Sequence, residues 1–117
     1  MNYNLDLNDR PFNAIKVGTK KVEGRTPIDS EKNTYEKMVP GDIITFTNNV
    51  TGEKLSCEVL FVHHYDNVRA MLEIEGTKNV LSSGLDIEGG IKSYNSLDGY
   101  EKGIKKHGIY AIGVKVK

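Results

Sequence analysis

Apolar and polar residues alternate most clearly between Lys54 and about Tyr65. Leu55, Cys57, Val59 and Phe61 point one way there, and Ser56, Glu58, Leu60, Val62 and His64 the other. That period of two marks a strand with one face in a core. The segment IITFTN predicts a second strand with Ile44 and Phe46 on one face. Pro40-Gly41-Asp42 turns the chain into it, and Val50-Thr51-Gly52-Glu53 forms the hairpin that follows. The closing IYAIGVKVK aligns Tyr110, Ile112, Val114 and Val116. Together these segments predict a core containing Ile44, Phe46, Val59, Phe61, Ile112 and Val114.

Helical spacing fills the intervals. Asn8 or Asp9 can cap a helix with Pro11 in its first turn, Phe12 and Ile15 on its buried stripe, and Gly18 as its stop. Asp66 can cap a second, with Val68, Met71 and Leu72 at helical spacing and Gly76 at its end. A third runs from about Tyr94 to His107 and aligns Tyr94, Leu97, Tyr100 and Ile104, although Gly99 and Gly103 each cost a helix up to about 1 kcal/mol relative to Ala. Thr77 to Ile91, with three glycines, reads as a loop or flap. The stretch PIDSEKNTYEKMVPGD has few apolar residues and reads as a partly helical surface flap that buries little. Short strands with helices inserted between them predict an α+β fold, a small mixed β-barrel with flanking helices, in preference to a parallel sheet. No linker or repeat divides residues 1–117, which predicts a single domain.

Composition narrows the classes. Lys plus Arg number 16 and Asp plus Glu number 16, so the chain lacks the cationic surplus of a protein that coats a nucleic-acid backbone. The N-terminus lacks the pattern of a secretory signal and no apolar run is long enough for a membrane span. A cytoplasmic protein without a membrane partner is expected. The lone Cys57 reads as a small buried hydrophobe. No metal or cofactor is expected: His63 and His64 are adjacent on a strand and point to opposite faces, with no zinc-type Cys/His spacing beside them.

The chemistry concentrates in GTKKVEGRT, Gly18 to Thr26. A charged strand in so small a domain is either a solvated edge or the lining of a polar site. Glu23 and Arg25 share a face, and Lys21 follows their parity. Lys20 joins them only if a bulge or the helix–strand junction turns it inward. Cations here could take a phosphate or carboxylate, and the glutamate could accept from a sugar hydroxyl or base amine. Tyr65, Tyr94 and Tyr100 are the candidates for stacking on a base, the alternative for each being a core residue with its hydroxyl at the surface. Lys102, Lys105, Lys106 and His107 form a basic helix end, either solvated or contacting phosphate.

Phe12, Ile15, Gly18-x-Lys20-x-x-Glu23-x-Arg25 and Pro40-Gly41-Asp42-x-Ile44-x-Phe46 resemble the opening of the ASCH (activating signal cointegrator homology) family. Val62-x-x-Tyr65, the helix through Met71-Leu72, Tyr94-x-x-Leu97-x-x-Tyr100 and Gly108-Ile109-Tyr110-Ala111-Ile112 are similar to its later landmarks. The resemblance implies a PUA-like fold and an RNA-binding or nucleotide-related role, with Lys20, Glu23, Arg25, Tyr65, Tyr94 and Tyr100 around a ligand. It also brings in small bacterial amidohydrolases of acetylated cytidine, which use a Lys, a Thr and a Glu. Lys20 and Arg25 match the lysine and arginine of that motif, while Glu23 stands where threonine is used. Glu73, Glu75 and Glu88 are the candidates for the remaining acid. The expected function is therefore recognition of RNA or a nucleotide-like small molecule. The alternatives are a hydrolase of acylated nucleosides or a ribonuclease, with Lys20 and Glu23 catalytic, and a module that binds a protein partner.

Overall fold

A computed structural model describes residues 1–28 and 35–117. In chain order it contains β1 (Asn2–Leu7), α1 (Asp9–Val17), β2 (Val22–Arg25), a 3-10 turn (Tyr35–Lys37), β3 (Ile43–Asn48) and β4 (Lys54–Tyr65). Then follow α2 (Val68–Glu75), α3 (Thr77–Val80), α4 (Ile87–Ser96), α5 (Tyr100–His107) and β5 (Ile109–Val116). The strands form one five-stranded sheet in the order β1-β3-β4-β5-β2. Only β1 and β3 are parallel. The sheet curls into a half-barrel whose two edges, β1 and β2, come from the same N-terminal stretch of chain.

A different hydrophobic cluster packs on each sheet face. On the first, Phe12 and Ile15 of α1 pack with Ile44, Phe46, Val59 and Ile112. On the second, Met71 and Leu72 of α2, Val80 of α3 and Ile104 of α5 pack with Val22 and Ile109. Phe12, Phe46, Ile44, Val59 and Ile112 have no solvent exposure, so truncating a large one such as Phe12 to Ala should cost about 3–5 kcal/mol.

The expected core is observed apart from Phe61. Val59 is paired with Val114, but Phe61 is paired with Gly113, because a bulge at Leu60 shifts the register between them. One extra residue reverses the facing of everything beyond it. Phe61 therefore joins the second cluster, only partly buried, and Val62 turns to the first.

Other expectations are also corrected. β1 was not expected, although Tyr3, Leu5 and Leu7 alternate and pack on the first cluster. Asn67 caps α2 by accepting from the Ala70 N–H at 2.8 Å, in place of Asp66. The expected loop from Thr77 to Ile91 contains α3 and the start of α4, which is capped by Asp86 accepting from Gly89 N–H at 2.8 Å. The expected helix from Tyr94 to His107 is two helices, because Gly99 adopts a left-handed φ of 78° between them. Residues with a Cβ rarely take that conformation. The expected surface flap falls partly on residues 29–34, outside the described residues. In its described part Glu36, Lys37, Val39, Pro40 and Gly41 are exposed, while Tyr35 and Met38 are buried in the first cluster and anchor it. No helix among the described residues is long and apolar enough to cross a membrane.

Candidate ligand-binding cleft

A cleft of about 690 Å³ opens where the half-barrel fails to close, and residues of both edge strands line it. Its inner wall is Lys20, Glu23 and Arg25. Lys20 comes inward, and the α1 terminus shows why. Gly18 takes a left-handed φ of 89°, and the N–H groups of Thr19 and Lys20 both return to the Ala14 carbonyl. This tight wrap turns Lys20 under the sheet edge, where it is 4% exposed. Lys21 is exposed; its N–H leaves the ladder for the Asn79 carbonyl.

The three charges form a chain of contacts. The Lys20 ammonium donates to the Val22 carbonyl at 2.7 Å and to the Val80 carbonyl, and lies 3.3 Å from Glu23 Oε1. An ammonium has three N–H bonds, so Lys20 is fully committed within the protein. The other oxygen of Glu23 accepts from Arg25 Nε at 2.7 Å. Arg25 Nη2 donates to the Asp6 carbonyl of β1 at 2.6 Å, bridging the two edges of the half-barrel. Arg25 Nη1 makes no hydrogen bond among the described residues.

Burial lowers the Lys20 pKa, and the neighbouring Glu23 charge offsets that only in part. For Glu23, burial acts upward, but Arg25 and Lys20 together outweigh it and hold the carboxyl below its ordinary range. Burial also opposes the Arg25 charge, and Glu23, with smaller contributions from Tyr100 and Tyr35, more than restores it. The result at neutral pH is a fixed carboxylate beside a fixed guanidinium, each with hydrogen-bonding capacity left over. Such a pair suits a ligand edge that carries an acceptor next to a donor.

Tyrosines supply the apolar wall. Tyr94 and Tyr100 line the cleft with rings 6.3 Å apart and 25° from parallel. Tyr94 is buried against Gly24 of β2, where a Cβ would collide with its hydroxyl and lie 2.9 Å from its Cζ. Burial first, and then the Glu23 charge, raise the Tyr94 pKa far above the usual tyrosine value, so it stays a neutral phenol. Tyr100 is only partly buried, with its ring stacked on that of Tyr94.

The structure brings together five of the six expected ligand residues: Lys20, Glu23, Arg25, Tyr94 and Tyr100. Tyr65 is not among the lining residues. It packs on the second cluster, paired with Ile109, and its hydroxyl donates to Glu75 Oε2. Burial and that carboxylate push its pKa up to about 12. None of the candidate acids lines the cleft: Glu75 also meets His63 Nδ1 at 2.6 Å, Glu88 pairs with Arg69, and Glu73 is exposed. His63 and His64 do face opposite ways, as adjacent strand residues should, and both are exposed.

Several cleft residues were missed. Asp6 and Leu7 enter through β1, Tyr35 from beneath, and Ser82 and Ser83 from the connection after α3. The alternation of Tyr3, Leu5 and Leu7 was the available signal for the first two. Nothing local marks the serines, which are brought in by packing of α3 against β2.

The ASCH domain profile matches residues 5–117. No curated protein is similar enough to count as a match. Among solved structures, hypothetical protein PH0355 is 34% identical, with a TM-score of 0.84 and 100% of both chains covered. Protein PF0455 from Pyrococcus furiosus, solved by solution NMR, is also 34% identical, with a TM-score of 0.74 over 99% of this chain and 97% of its own. The α+β half-barrel has the PUA-like architecture of that family. A profile spanning nearly the whole sequence and two full-length structural matches above 30% identity lead to one assignment: the chain belongs to the ASCH domain family.

Proposed function

We propose that the chain acts as one ASCH domain in the cytoplasm and binds RNA or a nucleotide-like small molecule in the cleft at the barrel seam. The observation that carries this reading is the availability of Arg25 Nη1 and the Glu23 carboxylate beside the Tyr100 ring, in a cleft of about 690 Å³. A base stacks on Tyr100 while its polar edge donates to Glu23 and accepts from Arg25. Lys20 does not touch the ligand in this scheme. It holds the Glu23 carboxylate in place. Binding is preferred to turnover because the Lys20 ammonium is saturated and no glutamate of α2 or α4 lines the cleft.

The test is a calorimetric screen of nucleosides, nucleotides and short single-stranded oligonucleotides across salt concentrations. Each phosphate neutralised contributes a slope of roughly 0.7 in log affinity against log salt for single strands, so one or two contacts give a magnitude of about one. Arg25→Ala should lower affinity and flatten that slope. A slope matching about six or more contacts, unchanged in Arg25→Ala, would move the binding surface to the lysines around Lys102 to Lys106. Lys20-dependent release of acetate from acetylcytidine would overturn the preference for binding.

A further inference from the structure

The Val22 end of β2, away from Arg25, leaves part of the sheet edge open. β2 pairs with β5 only from Val22 opposite Gly113 to Arg25 opposite Tyr110. One residue further, the Val114 N–H still reaches the Lys21 carbonyl at 3.0 Å. Lys21 returns no bond, because its own N–H goes to Asn79 at 2.8 Å. Backbone groups alternate sides along a strand. Lys117 N–H points to Ser56 on the β4 side, so the N–H and C=O of Val116 face outward with those of Val114, where no strand lies among the described residues.

An apolar groove of about 560 Å³ lies against this edge, walled by Val17, Val22, Leu60, Phe61 and Val116. Two of these side chains are exposed, Val17 at 72% and Leu60 at 45%. Leu60 is there because the bulge turns it out of the β4 alternation, and bulges commonly re-aim a side chain in this way. The charges at the rim are unbalanced. Lys16 is held by Glu53, and Glu75 by Tyr65 and His63, whereas Lys21 and Lys115 form no ion pair among the described residues.

We propose that this edge docks an extended segment of a partner protein that alternates apolar and acidic residues and adds to the sheet as a strand antiparallel to β5. Open main-chain groups give such a segment its affinity, and pockets for alternate side chains give it specificity. Its apolar side chains lie against Leu60 and Phe61, and its carboxylates, on the other face of the added strand, meet Lys21. The apolar walls disfavour RNA here, so this surface is separate from the proposed nucleotide cleft.

The probe is a short capped peptide alternating valine and glutamate, titrated into isotope-labelled protein, with a valine–lysine peptide as control. The expected result is amide shift changes at Leu60, Lys21 and Val116, with slowed hydrogen exchange at the Val116 N–H. Leu60→Asp and Lys21→Glu, both at exposed positions, should each weaken the acidic peptide by roughly tenfold, equivalent to about 1.4 kcal/mol, and leave nucleotide binding unchanged. Absence of binding, equal binding of the lysine peptide, or shift changes confined to the Arg25 cleft would overturn the proposal. Self-association of the free protein that Leu60→Asp abolishes would also overturn it, by assigning the edge to a second copy of the chain.

Discussion

Lys20–Glu23–Arg25 and Lys16–Glu53 are both contacts between basic and acidic side chains, and both tie an end of α1 or its extension to the sheet. Their settings are opposite. Lys20 and Glu23 have side chains 3% and 7% exposed, while Lys16 and Glu53 are 47% and 42% exposed at 2.6 Å. Distance alone would rank the surface pair first, since Lys20 lies 3.3 Å from Glu23. Burial reverses the ranking: charges removed from water depend on their partners, whereas exposed charges have water as an alternative.

The largest expected effect follows from removing the central charge. Glu23→Gln leaves Lys20 and Arg25 buried without compensation, and breaking such a group by deleting one partner costs about 3–5 kcal/mol. Urea denaturation measures this. The pH dependence sharpens it. The Glu23 pKa in the folded protein lies below its ordinary value of 4.5, so its ionisation stabilises the fold fully above that value. The contribution is lost as pH falls through the depressed folded value. Wild type should show this acid loss and Glu23→Gln should lack that part of it. Equal acid profiles would mean that the Glu23 carboxylate does not depend on Lys20 and Arg25 for its ionisation.

A smaller effect tests how the buried group is walled. Gly24→Ala places a methyl group against the rigid Tyr94 ring and 3.2 Å from Met71 Cε, and overpacking of this kind costs about 1–3 kcal/mol. Tyr94 must shift to accept it, and Tyr100 is stacked on Tyr94. The substitution should therefore lower both the melting temperature and nucleotide affinity. Unchanged binding would separate the tyrosine wall from the ligand.

How much of this was readable in the sequence depended on whether the pattern was local. The inward faces of β3 and β5 and the first half of β4 were legible because their alternation reflects burial on a single face. The convergence of Glu23 and Arg25 followed from strand parity, whereas Lys20 was preferred to Lys21 on the family resemblance, and only the wrap after Gly18 shows how it turns inward. What failed was non-local. The bulge at Leu60 is one extra residue that only pairing with β5 reveals, and it carried Phe61 to the other face. The latch from Arg25 to Asp6 joins residues on opposite edges of the sheet and could not be inferred before β1 was known to pair with β3.

If Tyr100 is the stacking surface, Tyr100→Ala should weaken nucleotide binding by about 1–3 kcal/mol, the usual range for a base on an aromatic ring. Tyr100→Phe should keep most of that affinity and the same salt slope, because it retains the ring and removes no charge. Calorimetry on both variants separates stacking from the polar contacts of Arg25. A Tyr100→Phe loss as large as that of Tyr100→Ala would show that the hydroxyl, rather than the ring, carries the interaction.

The smallest effect belongs to the surface pair. A double-mutant cycle on Lys16→Ala and Glu53→Ala should return a coupling of about 0.2–1 kcal/mol, the range for exposed pairs, in which lost side-chain freedom and solvent screening cancel most of the attraction. That coupling should shrink as salt rises, because at about 1 M ionic strength the screening length is only about 3 Å. The Glu23–Arg25 coupling, measured the same way, should persist, since both side chains lie largely out of the solvent that supplies the screening. Burial predicts two salt dependences for two contacts that are each 2.6–2.7 Å long. Parallel decay of both couplings with salt would instead place Glu23 and Arg25 in contact with bulk water.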